Sequence, residues 1–144
     1  MDGFLRLTDS HAWLKSKLSY SGPIEITAVA RTNSDEIRLS AGRGGVLIFD
    51  WRDRKGELRI HRPDDLTKGE LGSLAVSKQA PLAPNTWYVL RWLLTENGMA
   101  VSVNGQVVFT ETAKFDLSAK RPVGISQCLG SVVDVKALSV KAIK

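Results

Sequence analysis

Residues 86–112 carry the pattern that most restricts the fold. Three runs rich in aliphatic and aromatic side chains, 86–95, 99–103 and 106–112, are divided by Asn97-Gly98 and Asn104-Gly105. Both central positions of a type I′ turn need positive φ, which Asn and Gly accept most readily, so Asn-Gly between such runs marks a β-hairpin. Two in succession make an antiparallel meander. The same period of two recurs upstream. In residues 24–31 it puts Ile24, Ile26, Ala28 and Ala30 on one face and Glu25, Thr27 and Arg31 on the other. Residues 36–40 and 57–61 each hold an arginine between two aliphatic residues, so Arg38 and Arg59 point away from the core. Residues 46–51, after a turn at Gly42, Gly44 and Gly45, are apolar on both faces apart from Asp50, as expected of a central strand.

The remaining segments fit the same class. Residues 64–84, with their prolines and the Asp64-Asp65 pair, read as an irregular connection holding a short strand at 73–77 and a helical turn near 65–68. Residues 122–127 and 131–141 are again β-rich. A helix competes only at 11–18, where Leu14 and Leu18 lie behind a Ser10 cap, but Trp13, Lys15 and Lys17 at a spacing of two favour a strand. Trp92, alternating with Leu90 and Leu94, is expected in the core, as is Trp87. Ten to twelve short strands in 144 residues predict one all-β domain, a sandwich or a closed barrel. No apolar run approaches the ~20 residues of a membrane helix, and residues 1–6 lack the apolar block of a secretory signal. The single cysteine, Cys128, excludes an internal disulfide and a cysteine-based zinc cluster, and its apolar neighbours suit a buried filler better than a nucleophile.

A family resemblance rests on several segments in order: Asp2-Gly3-Phe4-Leu5, Ala12-Trp13-Leu14-Lys15-Ser16-Lys17, Tyr20-Ser21-Gly22-Pro23-Ile24-Glu25-Ile26, Trp87-Tyr88-Val89-Leu90-Arg91-Trp92 and Val101-Ser102-Val103-Asn104-Gly105-Gln106-Val107-Val108-Phe109. Together they resemble the concanavalin A-like lectin/glucanase superfamily, and within it the laminin-G-like and 3-keto-disaccharide hydrolase-type domains. The resemblance spans nearly the whole chain. It implies an antiparallel two-sheet β-sandwich of jelly-roll type, and a superfamily that hosts sugar-binding modules, glycosidases and adhesion domains alike. The Asp-Gly-x-Leu start, which follows an earlier strand in such relatives, implies a module of a longer, exported protein. Glucanases of this fold carry a Glu-x-Asp-x-x-Glu strand motif, and this chain has none. Some relatives use calcium, but no dense Asp/Asn loop is present to carry that over.

Catalytic chemistry finds little support in the residues. Glycoside hydrolysis needs two carboxyl groups about 5 to 10 Å apart across a sugar. The best candidates, Asp50 and Asp53 with Glu57 beyond, are equally explained by a salt-bridged turn. His11 and His61 are the only histidines, and neither a His-Glu-x-x-His helix nor a Gly-x-Ser-x-Gly elbow occurs. Gly42-Arg43-Gly44-Gly45 precedes a strand, so it lacks the helix N-terminus of a phosphate loop. No cofactor or metal is therefore expected.

What remains is a binding surface. The net charge is +5, and seven of the ten arginines fall between Arg31 and Arg62, where five acidic residues share the stretch. Without the aromatic interleaving of nucleic-acid binders, no nucleic-acid partner is expected. Sugars present an apolar C–H face to aromatic rings and hydroxyls to planar donors and acceptors. If Leu47, Phe49 and Trp51 face inward, parity turns Asp50, Arg38, Arg59, His61 and Arg91 outward onto the concave sheet. The expectation is a non-catalytic carbohydrate-binding or adhesion module, with Arg38, Asp50, Trp51, Arg59, His61 and Arg91 as ligand-binding residues. Trp51, at a strand end, and Trp13 are the tryptophans able to lie exposed. Three readings compete: an ion-pair ladder across the strands, a glycosidase-like or keto-disaccharide hydrolase-type enzyme, and a protein-interaction module.

Overall fold

The computed structural model describes residues 3–8, 13–41, 45–63, 73–79, 81–127 and 130–143. Within them the alternating segments form twelve strands: β1 (Leu5–Leu7), β2 (Trp13–Tyr20), β3 (Ile24–Thr32), β4 (Ile37–Ala41), β5 (Val46–Phe49), β6 (Glu57–His61), β7 (Leu74–Lys78), β8 (Tyr88–Thr95), β9 (Gly98–Val103), β10 (Gln106–Thr112), β11 (Arg121–Ser126) and β12 (Val133–Ala142). They pair antiparallel into two six-stranded sheets, β1-β12-β3-β8-β9-β10 and β2-β11-β4-β5-β6-β7. Each sheet has two edges, so the architecture is a sandwich and not a closed barrel. No helix occurs among the described residues, and residues 13–20 form a strand.

Alternation decides which side chains meet between the layers. From the first sheet come Ile24, Ile26, Ala28, Ala30, Leu90, Trp92, Leu94 and Val101, and from the second Ile37, Leu39, Leu47, Phe49, Leu58, Ile60, Val123 and Ile125. Trp92 lies opposite Ile26 on one side and Val101 on the other, so its ring fills the middle of the core. Ala28 and Ala30 leave room for such large neighbours, as close packing of the interior requires. Leu82, Phe115 and Leu117, from the connections, complete the buried cluster.

Two expectations need correction. Trp87 is not in the core: it sits five positions before Trp92, hence on the opposite parity, and is half-buried on the outer face of the first sheet. The first hairpin turns at Glu96 and Asn97, because Gly98 pairs with Thr95 and already belongs to β9. The second is as read, with Asn104 and Gly105 at φ 50° and 82° between the paired Val103 and Gln106. The expected helical turn at 65–68, the glycines at 42 and 44, His11 and Cys128 lie outside the described residues.

Ion pairs tie the layers and their edges. Arg62 donates to Glu111 at 2.8 and 2.6 Å, joining the end of β6 to β10 in the other sheet. Asp134 on β12 accepts from Arg6 of β1 and Arg31 of β3. The bonds from Arg6 and Arg31 hold the Asp134 carboxyl below its ordinary range against the opposing effect of burial, and Arg62 does the same for Glu111. A carboxyl depressed in the folded state stabilises fully above its unfolded pKa, about 4, and that contribution is lost as pH falls through the folded value. Thermal unfolding followed between about pH 6 and pH 2 is therefore expected to show a falling Tm below about pH 4. Asp134→Asn should flatten that fall; a variant as acid-sensitive as the parent would contradict the assignment.

Candidate functional site

The outer face of the second sheet brings together most of the side chains anticipated from parity. Its register aligns Trp13, Ser126, Arg38, Ile48, Arg59 and Val76 in one row across β2, β11, β4, β5, β6 and β7. The adjacent row runs Lys15, Gly124, Ser40, Val46, His61 and Leu74. Their neighbours along each strand, such as Leu39, Leu47 and Ile60, are wholly buried, which fixes this face as the outward one. Ile48 and Ser126 in the first row are themselves buried, at 6% and 2%, with Ile48 lying between Arg38 and Arg59.

Each arginine binds the carboxylate of the glutamate two residues before it. Arg38 Nε donates to Glu36 Oε2 at 2.7 Å, and Arg59 Nη1 donates to Glu57 Oε1 at 3.3 Å. Glu36 is fully buried at φ 53° and also accepts the Arg52 backbone N–H at 3.0 Å. The Arg59 guanidinium lies 3.9 Å from the centroid of Trp51, a close cation–π stack that fixes both planes. Trp13 lies over Gly124: a Cβ there would meet Trp13 Cε3 at 3.2 Å and Ser40 Oγ at 2.9 Å, so the missing side chain lets indole and hydroxyl approach the sheet.

Two anticipated residues do not join this face, and a third joins it for an unexpected reason. Asp50 is fully buried, its Oδ1 accepting Gly56 N–H at 2.8 Å and its Oδ2 accepting Leu82 N–H at 3.0 Å. The cause is backbone: φ is 56° at Asp50, and a left-handed residue breaks the strand's alternation. Asp50 therefore turns in and Trp51 turns out onto Arg59, the reverse of simple parity. Arg91 points outward from β8, but β8 belongs to the other sheet. His61 stays on the face, half-buried, one row from Arg59. Glu36, Glu57, Trp13 and Ser40 were not among the anticipated ligand residues. Glu57 was readable from its Glu-x-Arg spacing, since residues two apart on a strand share a face, whereas Glu36 lies before β4 at a left-handed φ.

The arrangement offers paired donors and acceptors beside aromatic surface. Clefts of about 490 and 600 Å³ open elsewhere, one lined by Leu14, Tyr20, Leu138 and Val140 and the other by Asn97, Lys114 and Asp116. Among the described residues no group of three or more His, Cys, Asp or Glu is placed to hold a metal ion. The carboxylates considered for hydrolysis do not converge as free groups: Asp50 is saturated by backbone donors, Asp53 is exposed in the turn, and Glu57 is bound to Arg59.

No family model and no curated protein matches the sequence. Solved structures do match the fold. The galectin LEC-6 of Caenorhabditis elegans superposes with a TM-score of 0.68 at 12% identity, over 94% of this chain and 95% of that one. The carbohydrate-binding module CBM66 of Bacillus subtilis gives 0.65 at 11% identity, over 99% of this chain and 92% of that one. A β-glucanase of Bacillus licheniformis gives 0.63 at 11% identity, over 98% of this chain and 78% of that one. These neighbours, alike in fold and remote in sequence, share the arrangement described above: the chain has the concanavalin A-like jelly-roll fold.

Proposed function

We propose that the protein is a non-catalytic carbohydrate-binding or adhesion module, and that it holds a glycan on the outer face of the sheet β2-β11-β4-β5-β6-β7. The observation that carries the reading is Arg59, stacked on Trp51 and bonded to Glu57, across β5 from the Arg38–Glu36 pair. The two guanidinium groups offer donors and the partly exposed Glu57 carboxylate an acceptor to vicinal hydroxyls, while buried Glu36 only anchors Arg38, and Trp13 at the other end of the row offers a ring for a sugar's C–H face. Stacking and pairing fix the side chains before the ligand arrives, which lowers the ordering cost of binding. A fold shared with a galectin and a carbohydrate-binding module supports the reading, although at these identities it speaks for fold alone. Because Arg38 and Arg59 are each matched by a glutamate, the ligand of this face is a neutral glycan.

The test is a glycan array followed by calorimetry on the strongest neutral binder. Arg59→Ala and Arg38→Ala are each expected to weaken binding at least tenfold, about 1.4 kcal/mol, while Arg91→Ala on the other sheet leaves it unchanged. An array without neutral binders, or equal affinities for all three variants, would overturn the proposal.

A further inference from the structure

The outer face of the first sheet carries a second cluster of cations and rings whose charges do not cancel. Arg6 of β1, Asp134 of β12 and Arg31 of β3 are aligned by strand register. Asp134 accepts Arg6 Nε at 2.7 Å, Arg6 Nη2 at 3.2 Å and Arg31 Nε at 2.8 Å. The Arg31 guanidinium lies 4.5 Å from the Trp87 centroid and 5.1 Å from that of Phe4, and these two rings meet edge-on at 5.8 Å. Arg6 lies 5.4 Å from Phe4. The register of β12 against β3 slips between Val135 and Ala137, leaving Lys136 as the extra residue of a bulge, and its ammonium reaches to 4.6 Å from Trp87. Bulges re-aim side chains in this way.

We propose that this cluster is a second ligand site, independent of the glycan face, and that it binds an oxyanion borne by a saccharide, a carboxylate or a sulfate. Arg6 and Arg31 share one carboxylate, Asp134, and Lys136 lies against Trp87 beside them, so among the described residues three cations of the cluster face one anion and two positive charges are left over. The contrast with the opposite sheet is direct, since Arg38 and Arg59 there each face a glutamate. Donors are also left over. Among the described residues Arg31 Nη1 and Nη2, Arg6 Nη1 and Lys136 Nζ make no hydrogen bond, while the two arginine side chains keep 25% and 55% of their exposure. A guanidinium clamped between rings and anchored through Nε keeps its terminal N–H groups in a fixed fork, the geometry that suits a planar or tetrahedral oxyanion. The ring faces are taken up by cations, so they serve to orient charge and leave little flat surface for stacking a nucleobase. Phe4, 41% exposed, supplies an apolar edge beside the anion position for the ring that bears it.

The experiment is a binding titration, by calorimetry and by amide NMR shifts, with four probes: a sulfated heparin tetrasaccharide, its desulfated uronate counterpart, inorganic sulfate and a glutamate-rich peptide. The tetrasaccharide and its counterpart are expected to bind the parent protein and shift amides of residues 4–6, 31, 87 and 134–136. Arg31→Ala and Lys136→Gln should each weaken that binding at least fivefold, whereas Lys120→Gln, which removes an exposed charge elsewhere, should not. Lys136→Gln leaves both arginine bonds to Asp134 in place, so its loss of binding cannot come from a disrupted sheet. Arg59→Ala should bind the acidic probes as the parent does, which separates failure here from failure of the neutral-glycan reading. Equal weakening by Lys120→Gln would reveal diffuse surface charge, and inorganic sulfate or a glutamate-rich peptide binding as tightly as the tetrasaccharide would remove the saccharide from the site. Either result, or full affinity in both cluster variants, overturns the proposal.

Discussion

Asp50→Ala is expected to destabilise the fold by about 3 to 5 kcal/mol, among the largest effects of any single side chain here. The carboxylate touches no ligand face. Its two oxygens accept the backbone N–H of Gly56, in the turn between β5 and β6, and of Leu82, a buried residue of the connection into β8. Removing it orphans both donors, at about 1–3 kcal/mol each, and places alanine at φ 56°, where aspartate is better tolerated. Urea unfolding checks this. With an m-value of about 1–3 kcal/mol/M, the midpoint should fall by at least about 1 M. Asp50→Asn keeps one acceptor oxygen and should fall between the parent and the alanine variant. Lys55→Ala should cost under about 1 kcal/mol, because its ammonium is more than half exposed and 3.8 Å from the carboxylate. A small effect for Asp50→Ala would mean that the two N–H groups find other acceptors.

The same residue marks where sequence reading stops. Through β3, β4 and β6 the alternation is unbroken, so the outward placement of Arg38, Arg59 and His61 follows from counting by twos. At Asp50 a left-handed φ resets the count, and nothing in the run Val46-Leu47-Ile48-Phe49-Asp50-Trp51 announces it. Arg91 shows a different limit. Parity tells whether a side chain leaves the core but not which layer its strand joins, since β8 pairs with β3 and β9 through long-range hydrogen bonds. Trp87 and Glu57 were legible: the parity of 87 against 92 and the Glu-x-Arg spacing within β6 lie in plain view in the chain, whereas the left-handed φ at buried Glu36 is as silent in the sequence as that of Asp50. The aromatic–cation cluster on the first sheet was not legible, because Phe4, Arg6, Arg31, Trp87 and Lys136 come from four separated segments joined only by strand order.

Gly98→Ala should cost about 3–5 kcal/mol, and the reason is a backbone contact that no side-chain movement can relieve. Gly98 opens β9, pairs with Thr95 across the hairpin and lies opposite Thr112 of β10. A Cβ added there would be driven into the carbonyl oxygen of Glu111, with the Glu111 carbon and Thr112 Cα both at 3.3 Å. Relief requires β9 and β10 to separate just where Glu111 also holds Arg62 from the other sheet. The φ of 155° adds strain of its own for any L side chain. Gly105→Ala supplies the comparison. Its φ is 82°, but no atom lies within 4 Å of the new methyl, so only conformational strain remains, about 1 kcal/mol. Urea midpoints for the two variants measured side by side should therefore differ severalfold in their displacement from the parent. Equal displacements would mean that the β9–β10 pair can open without loss, and that the Arg62–Glu111 pair does not depend on it.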